Sequence, residues 1–153
     1  MADIAAFPTV RNVLVNGNNI TSYTAGAAIT AGQVVAFHGT GVDMTVHPAV
    51  TGTTVAVVGV ALYSVASGAE VAVAGPGCIV YVVNGLDGTN IDAGTYVQVY
   101  GTTTPGTVKE IVVSGGIAVN YGLVGLMLED NTATVAGAYS KCLIVLGPVT
   151  PGA

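Results

Sequence analysis

Apolar positions in this chain arrive in short runs that either alternate with polar residues or are apolar on both faces. In TYVQVY, residues 95–100, Tyr96, Gln98 and Tyr100 fall on one side of a strand and Val97 and Val99 on the other. TVAVVGVAL, residues 54–62, is apolar throughout, which predicts a strand buried on two sides. Thr and Val dominate, and turn dipeptides return every eight to twelve residues or so, the spacing of short strands. No window carries a convincing helical period; AVNYGLVGLMLED comes nearest, and Gly122 and Gly125 weaken it. The pattern predicts an all-β protein. Asn16-Gly17, between VRNVLV and NNITSY, predicts a hairpin, because both turn positions accept positive φ. Asn84-Gly85 and Asp87-Gly88 mark a second break near the middle.

One block appears twice. ITAGQVVAFHG, residues 29–39, returns as IDAGTYVQVYG, residues 91–101, 62 positions later (91 − 29). Gly59 pairs with Gly125 at an offset of 66 (125 − 59), and CIVYV (78–82) with CLIVL (142–146) at an offset of 64 (142 − 78). These matches predict an internal duplication with halves of about 27–83 and 89–147. A half this apolar cannot cover both its faces, so the two halves are expected to wrap together into one small barrel or sandwich. Gly32 and Gly94 are expected to supply the same tight turn in each. Residues 27–147 then form a single β domain. Residues 1–26 are an N-terminal arm or hairpin, and 148–153 an extended tail.

Composition changes the picture of the surface. The chain has 153 residues, 52% of them hydrophobic and 7% charged, against about 25% charged in an ordinary soluble domain. A surface of Thr, Ser, Asn, Gly and Ala is poorly protected against association, which suits a chain that lies against other protein. Three basic residues, Arg11, Lys109 and Lys141, against eight acidic ones give a formal net charge of −5. Such a chain cannot gather the cations that phosphate neutralisation needs, so nucleic acid is not an expected partner. Residues 48–69 carry no charge, but they are rich in Val, Thr and Gly and interrupted by turn sequences; two buried strands, and no membrane partner, are expected there. MADIAAFPTVR has no basic region ahead of an apolar one, so no secretory signal is expected.

Candidate chemistry is thin. Cys78 and Cys142 match neither a disulfide framework nor a zinc pattern and read as small buried hydrophobes. His38, Asp43 and His47, with Ser64 and Ser67 nearby, can be written as a catalytic or metal set, yet no nucleophile elbow and no fourth ligand accompany them. Glu129-Asp130 and Asp87 with Asp92 read as polar loops and turns, with no aromatic neighbours of the kind a sugar site carries. No catalytic, cofactor or metal site is expected, and the chain does not read as an enzyme. The seven tyrosines, Tyr63, Tyr81, Tyr96, Tyr100, Tyr121 and Tyr139 among them, read equally as interface residues or as caps on the barrel ends.

The order I-x-A-G-x-x-V, V-G-V-A-L and EVAVAG, repeated as I-D-A-G and L-V-G-L-M-L with a terminal apolar strand, resembles the head decoration proteins of tailed bacteriophages and their archaeal-virus relatives. The resemblance covers residues 24 to 147. It implies a β-barrel of the β-tulip or β-clip kind, and binding to the outer surface of an expanded icosahedral capsid as a cement protein. It also implies the major capsid protein and the chain itself, as a homotrimer, as partners. The segment from Ala2 to Val15 is then the arm that meets the capsid or a neighbouring subunit, through Ile4, Phe7, Pro8, Val10 and Arg11. Other open readings are a different virion surface component, such as a fibre-base or receptor-binding module, and an enzyme or a soluble β-clip binding domain.

Overall fold

The computed structural model describes residues 13–37, 43–50, 56–85, 90–100, 104–111, 113–114, 117–118, 122–131 and 139–147. Every regular element among them is a β-strand: β1 (Leu14–Asn16), β2 (Ile20–Ala25), β3 (Val34–Phe37), β4 (Thr45–Pro48), β5 (Val57–Ala61), β6 (Glu70–Ala74), β7 (Ile79–Val83), β8 (Tyr96–Tyr100), β9 (Thr107–Glu110), β10 (Val113–Ser114), β11 (Ile117–Ala118), β12 (Leu123–Met127) and β13 (Tyr139–Ile144). Five of them close a barrel in the order β2-β4-β3-β5-β6. Six more form a sheet in the order β1-β7-β13-β12-β8-β9, and β10 and β11 pair with each other. The all-β expectation therefore holds, with one closed barrel.

The second sheet repeats the barrel pairing by pairing. In the first set, Val35, Ala36 and Phe37 face Pro48, His47 and Val46; in the second, Val97, Gln98 and Val99 face Glu110, Lys109 and Val108, an offset of 62 on both strands (97 − 35, 110 − 48). Val35 pairs with Gly59 beside a bulge, and Val97 with Gly125 beside a bulge at the same place. Ala61 pairs with Val73 and Met127 with Cys142, so β13 is the counterpart of β6 at an offset of 69 (142 − 73). Ile20 pairs with Ala74 and Ile79 with Leu143, so β7 is the counterpart of β2 at an offset of 59 (79 − 20). The isolated bridges obey the same rule: Ile29 with Val65 matches Ile91 with Asn131.

Three expectations are corrected by these registers. The blocks at 78–82 and 142–146 are not equivalent strands, because CIVYV opens the second unit and its partner CLIVL closes it. Both are buried in a continuous sheet and so acquire the same Cys-plus-β-branched composition, which is what made them look alike. The first unit starts at β2, inside the stretch assigned to an arm, and closes its barrel without help from the second. Asn16-Gly17 closes no hairpin either: β1 pairs with β7 and β2 with β6. A lone two-stranded ribbon is marginal, and each strand gains more apolar neighbours elsewhere. Within 48–69 the described residues hold the end of β4 and β5, and residues 51–55 lie outside the described ones.

The barrel interior is apolar, formed by Ala25, Ile29, Val35, Val46, Ala61, Val71 and Val73. The counterparts in the second unit are Asn84, Ile91, Val97, Val108, Met127, Ser140 and Cys142, all buried. A second core cluster joins this interior to the outer face of the first unit, through Val34, Ala36, Val60 and Leu62. Gly106 forms the backbone link between the units. Its N–H donates to the Ala49 carbonyl (2.7 Å), and its carbonyl accepts the Val34 N–H (2.8 Å). Gln33 reinforces this link by donating from Nε2 to the Pro105 carbonyl (2.9 Å) while its Oε1 accepts the Thr30 N–H. In the first unit the counterpart of Gly106 is Met44 (106 − 62), whose carbonyl accepts the Thr24 N–H and helps close its own barrel. With Gly106 turned toward the neighbouring unit, the seam between β7 and β9 is left with the single parallel bridge of Asn84 to Val108.

Gly32 and Gly94 have φ of 87° and 85°, the shared tight turn. Gly59, itself at φ +153°, and Gly125 have a further reason to be glycine: a Cβ would collide with the Ala74 carbonyl oxygen at the first and the Leu143 carbonyl oxygen at the second. Gly59→Ala and Gly125→Ala should each cost about 3 kcal/mol, the upper part of the overpacking range. Gly94→Ala, where a Cβ meets nothing within 4 Å, should cost nearer 1 kcal/mol of backbone strain. Urea denaturation of the three variants checks this; equal losses at Gly94 and Gly125 would refute the close approach.

Candidate interaction surface

The arm residues Ile4, Phe7, Pro8, Val10 and Arg11 lie outside the described residues, as do His38, Asp87 and Tyr121. Of the other candidates for chemistry, Ser64, Ser67, Glu129 and Asp130 have structural work, and Asp92 is exposed. His47 sits half-buried on β4, against Gly26. Asp43 is exposed in the turn before β4. The Ser64 hydroxyl accepts the Ala31 N–H (3.0 Å), and the Ser67 hydroxyl donates to the Gly26 carbonyl (3.2 Å), so both serines anchor loops. Glu129 is tied to β13: its Oε1 accepts the Lys141 N–H (3.1 Å) and its Oε2 pairs with Lys141 Nζ (3.5 Å). Asp130 Oδ1 accepts the Ala93 N–H (2.8 Å), joining the two loops that carry Ile91 and Asn131. Among the described residues no group of three or more His, Cys, Asp and Glu is placed to hold a metal ion. No described helix is long and apolar enough to cross a membrane.

Both cysteines are free and buried. The Cys78 thiol donates to the Asn19 carbonyl (3.6 Å), and Cys142 lies against Gly125 on the neighbouring strand. Burial pushes the Cys142 thiol up to about 12, because an unsolvated thiolate is penalised. Burial also raises Tyr139 above the ordinary phenol value, and its hydroxyl donates to the Ala31 carbonyl across the junction of the units (3.4 Å).

The tyrosines divide. Tyr81 and Tyr100 carry lysine ammonium groups over their rings, Lys141 at 5.9 Å and Lys109 at 5.1 Å from the centroids. Tyr63 and Tyr96 stand in solvent, 53% and 50% exposed. Around Tyr96 the outer face of the second unit is apolar. Leu143, Leu126 and Tyr96 face one another across β13, β12 and β8, and Ile111 adjoins them by donating its N–H to the Tyr96 carbonyl (3.0 Å). Leu128, 40% exposed, extends the patch. Sheets of monomeric proteins usually place polar residues on such a face. What this arrangement can do is bind protein. The alternation in TYVQVY showed that Tyr96 and Val97 part to opposite faces; that Leu126 and Leu143 fall in line with Tyr96 depends on register, which no single strand reveals.

No family model matches the chain, and no curated protein sequence does. Among solved structures it is similar to the head fiber gp8.5 N base in bacteriophage phi29, with 16% sequence identity and a TM-score of 0.50 over 84% of this chain and 97% of that one. At that identity the likeness is one of fold.

Two outcomes are expected of the buried groups. The Cys142 thiol has its folded value above the ordinary 9.0, so its contribution to stability is complete below about pH 9 and is lost as pH rises toward about 12. The slope approaches roughly 1.4 kcal/mol per pH unit. Tyr139 acts in the same sense. Denaturation of the wild type and Cys142→Ala at several alkaline pH values should show a shallower decline in the variant; parallel profiles would refute it. Ser140 is fully buried and its Oγ has no hydrogen-bond partner among the described residues, where the first unit has Val71. Ser140→Ala should therefore stabilise the protein by about 1 kcal/mol, read as a raised denaturation midpoint; a lowered midpoint would show that the hydroxyl is satisfied.

Proposed function

We propose that this chain is a structural protein of a virion, carried on the outer surface of an expanded icosahedral capsid that it stabilises as a decoration or cement protein, with the major capsid protein as its partner. The observation that carries the reading is the likeness in fold to a phage head-fibre base over nearly the whole of that domain. Two further features support it. With 7% charged residues and an outer face presenting Tyr96, Leu126 and Leu128, the protein has a surface suited to lying against other protein. Ser64, Ser67, Glu129 and Asp130, among the polar residues that could have served catalysis, are engaged in holding loops and strands.

The mechanism is mechanical. A protein that binds the expanded lattice and not its disrupted subunits stabilises the lattice in proportion to its affinity and concentration. Small contact areas suffice when many copies span many subunit joints. An arm at residues 2–15 that orders on binding loses entropy, which Ile4, Phe7 and Val10 would offset by burial.

A second reading is favoured by the same neighbour: the chain is the capsid-proximal base of a fibre, attached to the head without strengthening it. Titration of purified protein onto undecorated, expanded capsids separates the two. Saturation at a fixed number of copies per capsid subunit with a raised disruption temperature is the cement outcome. Saturable binding with no change in disruption temperature is the fibre-base outcome, and no binding to the cognate capsid would overturn both. Deleting residues 2–11 should leave a folded domain that binds at least tenfold more weakly; undiminished binding would remove the arm from the mechanism.

A further inference from the structure

The two units of this chain present the same two surfaces, each buried once and open once. One is the row across the outer face. In the first unit it is Ala74, Val60, Val34 and Ala49, exposed by no more than 3%; in the second it is Leu143, Leu126, Tyr96 and Ile111, with Tyr96 50% exposed and the rest half-buried. The other is the rim at the barrel end where β3 turns into β4. The Phe37 N–H donates to the Ala56 carbonyl (3.1 Å), as the Val99 N–H does to the Gly122 carbonyl (3.0 Å), so Phe37, Met44 and Ala56 are the counterparts of Val99, Gly106 and Gly122. Here the exposure is reversed. Val99, Gly106 and Gly122 are buried, whereas Phe37 and Met44 are 36% and 48% exposed and Ala56 is exposed.

Within the chain, the rim of the second unit covers the row of the first. Gly106 bonds to Val34 and Ala49, the position of a Cβ at Gly122 lies 3.2 Å from Val57, and the row residues share one core cluster with Val99. What stays open is the rim of the first unit and the row of the second, the two complementary halves of a contact this fold already makes.

We propose that a second copy of this chain covers the open row, seating its rim residues Phe37 and Met44 on Tyr96, Leu126, Leu143 and Ile111. Residue sizes fit. Every open position carries a larger side chain than its buried counterpart: Tyr for Val, Leu for Val, Leu for Ala and Ile for Ala in the row, Phe for Val, Met for Gly and Ala for Gly in the rim. The intrachain contact is a close approach of backbones, made possible by glycine and small side chains. The Met44 carbonyl is already bonded to the Thr24 N–H, so the contact between copies is made through side chains, and large apolar ones supply the area. Rim and row are different surfaces, so the association is head-to-tail and either closes into a ring or continues. It does not rest on the virion reading: capsid binding and self-association are separate measurements.

The test pairs sedimentation with disulfide trapping. The wild-type chain should associate as its concentration rises, and Met44→Glu or Tyr96→Glu, both at exposed positions, should abolish association without lowering the thermal midpoint. M44C and Y96C, mixed under mild oxidation, should form a linked pair, while neither links to itself; Cys78 and Cys142 are buried and take no part. A wild-type chain that stays monomeric at every concentration would overturn the proposal. So would self-linking of either variant as efficient as the mixture, which marks a twofold contact. Increased labelling of Y96C after deletion of residues 2–11 in a monomer would overturn it in favour of the chain's own N-terminal segment as the occupant.

Discussion

The two hydrogen bonds of Gly106 decide how the molecule is put together. A strand seam in a five-stranded barrel can close on itself, as Met44 and Thr24 do, or its turn can reach a neighbour, as Gly106 does with Val34 and Ala49. The turn takes one position or the other, because its backbone cannot lie against both strands at once. The second unit gives up most of its own seam and gains a fixed junction with the first. Gly106 has a φ of +81°, and a Cβ there would run into the Gln33 side chain, so glycine is needed twice over at this position.

Around that junction the duplicated scaffold has diverged where the two units face different surroundings. Registers, bulges and turns coincide, because they are set by backbone geometry and by glycines that admit a close carbonyl. Side chains do not coincide. The row of the first unit is small and buried because another unit lies on it; the same row in the second is large and open. The interior diverged too: Ala25, Val65 and Val71 correspond to Asn84, Asn131 and Ser140. Buried polar groups in a core of this kind are expensive unless bonded, and the first unit avoids that cost.

A protein with so little charge has few means of resisting association, since charge is what ordinarily keeps apolar strands of neighbouring molecules apart. The two described lysines do not serve that purpose. Each lies over a tyrosine ring, and Lys141 is also paired with Glu129. A surface with so few charges and an apolar row has little to keep neighbouring molecules apart.

Much was legible from the residues. Alternation in TYVQVY, the continuous apolar run of TVAVVGVAL and the absence of a helical period determined an all-β chain, because side-chain period is a local property of the backbone. The Ala-Gly corners at Gly32 and Gly94 announced a repeated turn, since positive φ selects glycine within a few residues. Pairing was not legible. Asn16-Gly17 has hairpin chemistry, yet β1 and β2 go to different partners, and the two Cys-containing strands resemble each other without being equivalent. The sequence by itself determined strands, turns and the duplication. Only the tertiary structure decided where each unit begins, that the first closes alone, and which copy of the row lies open, because pairing and burial are set by contacts between residues distant in the chain.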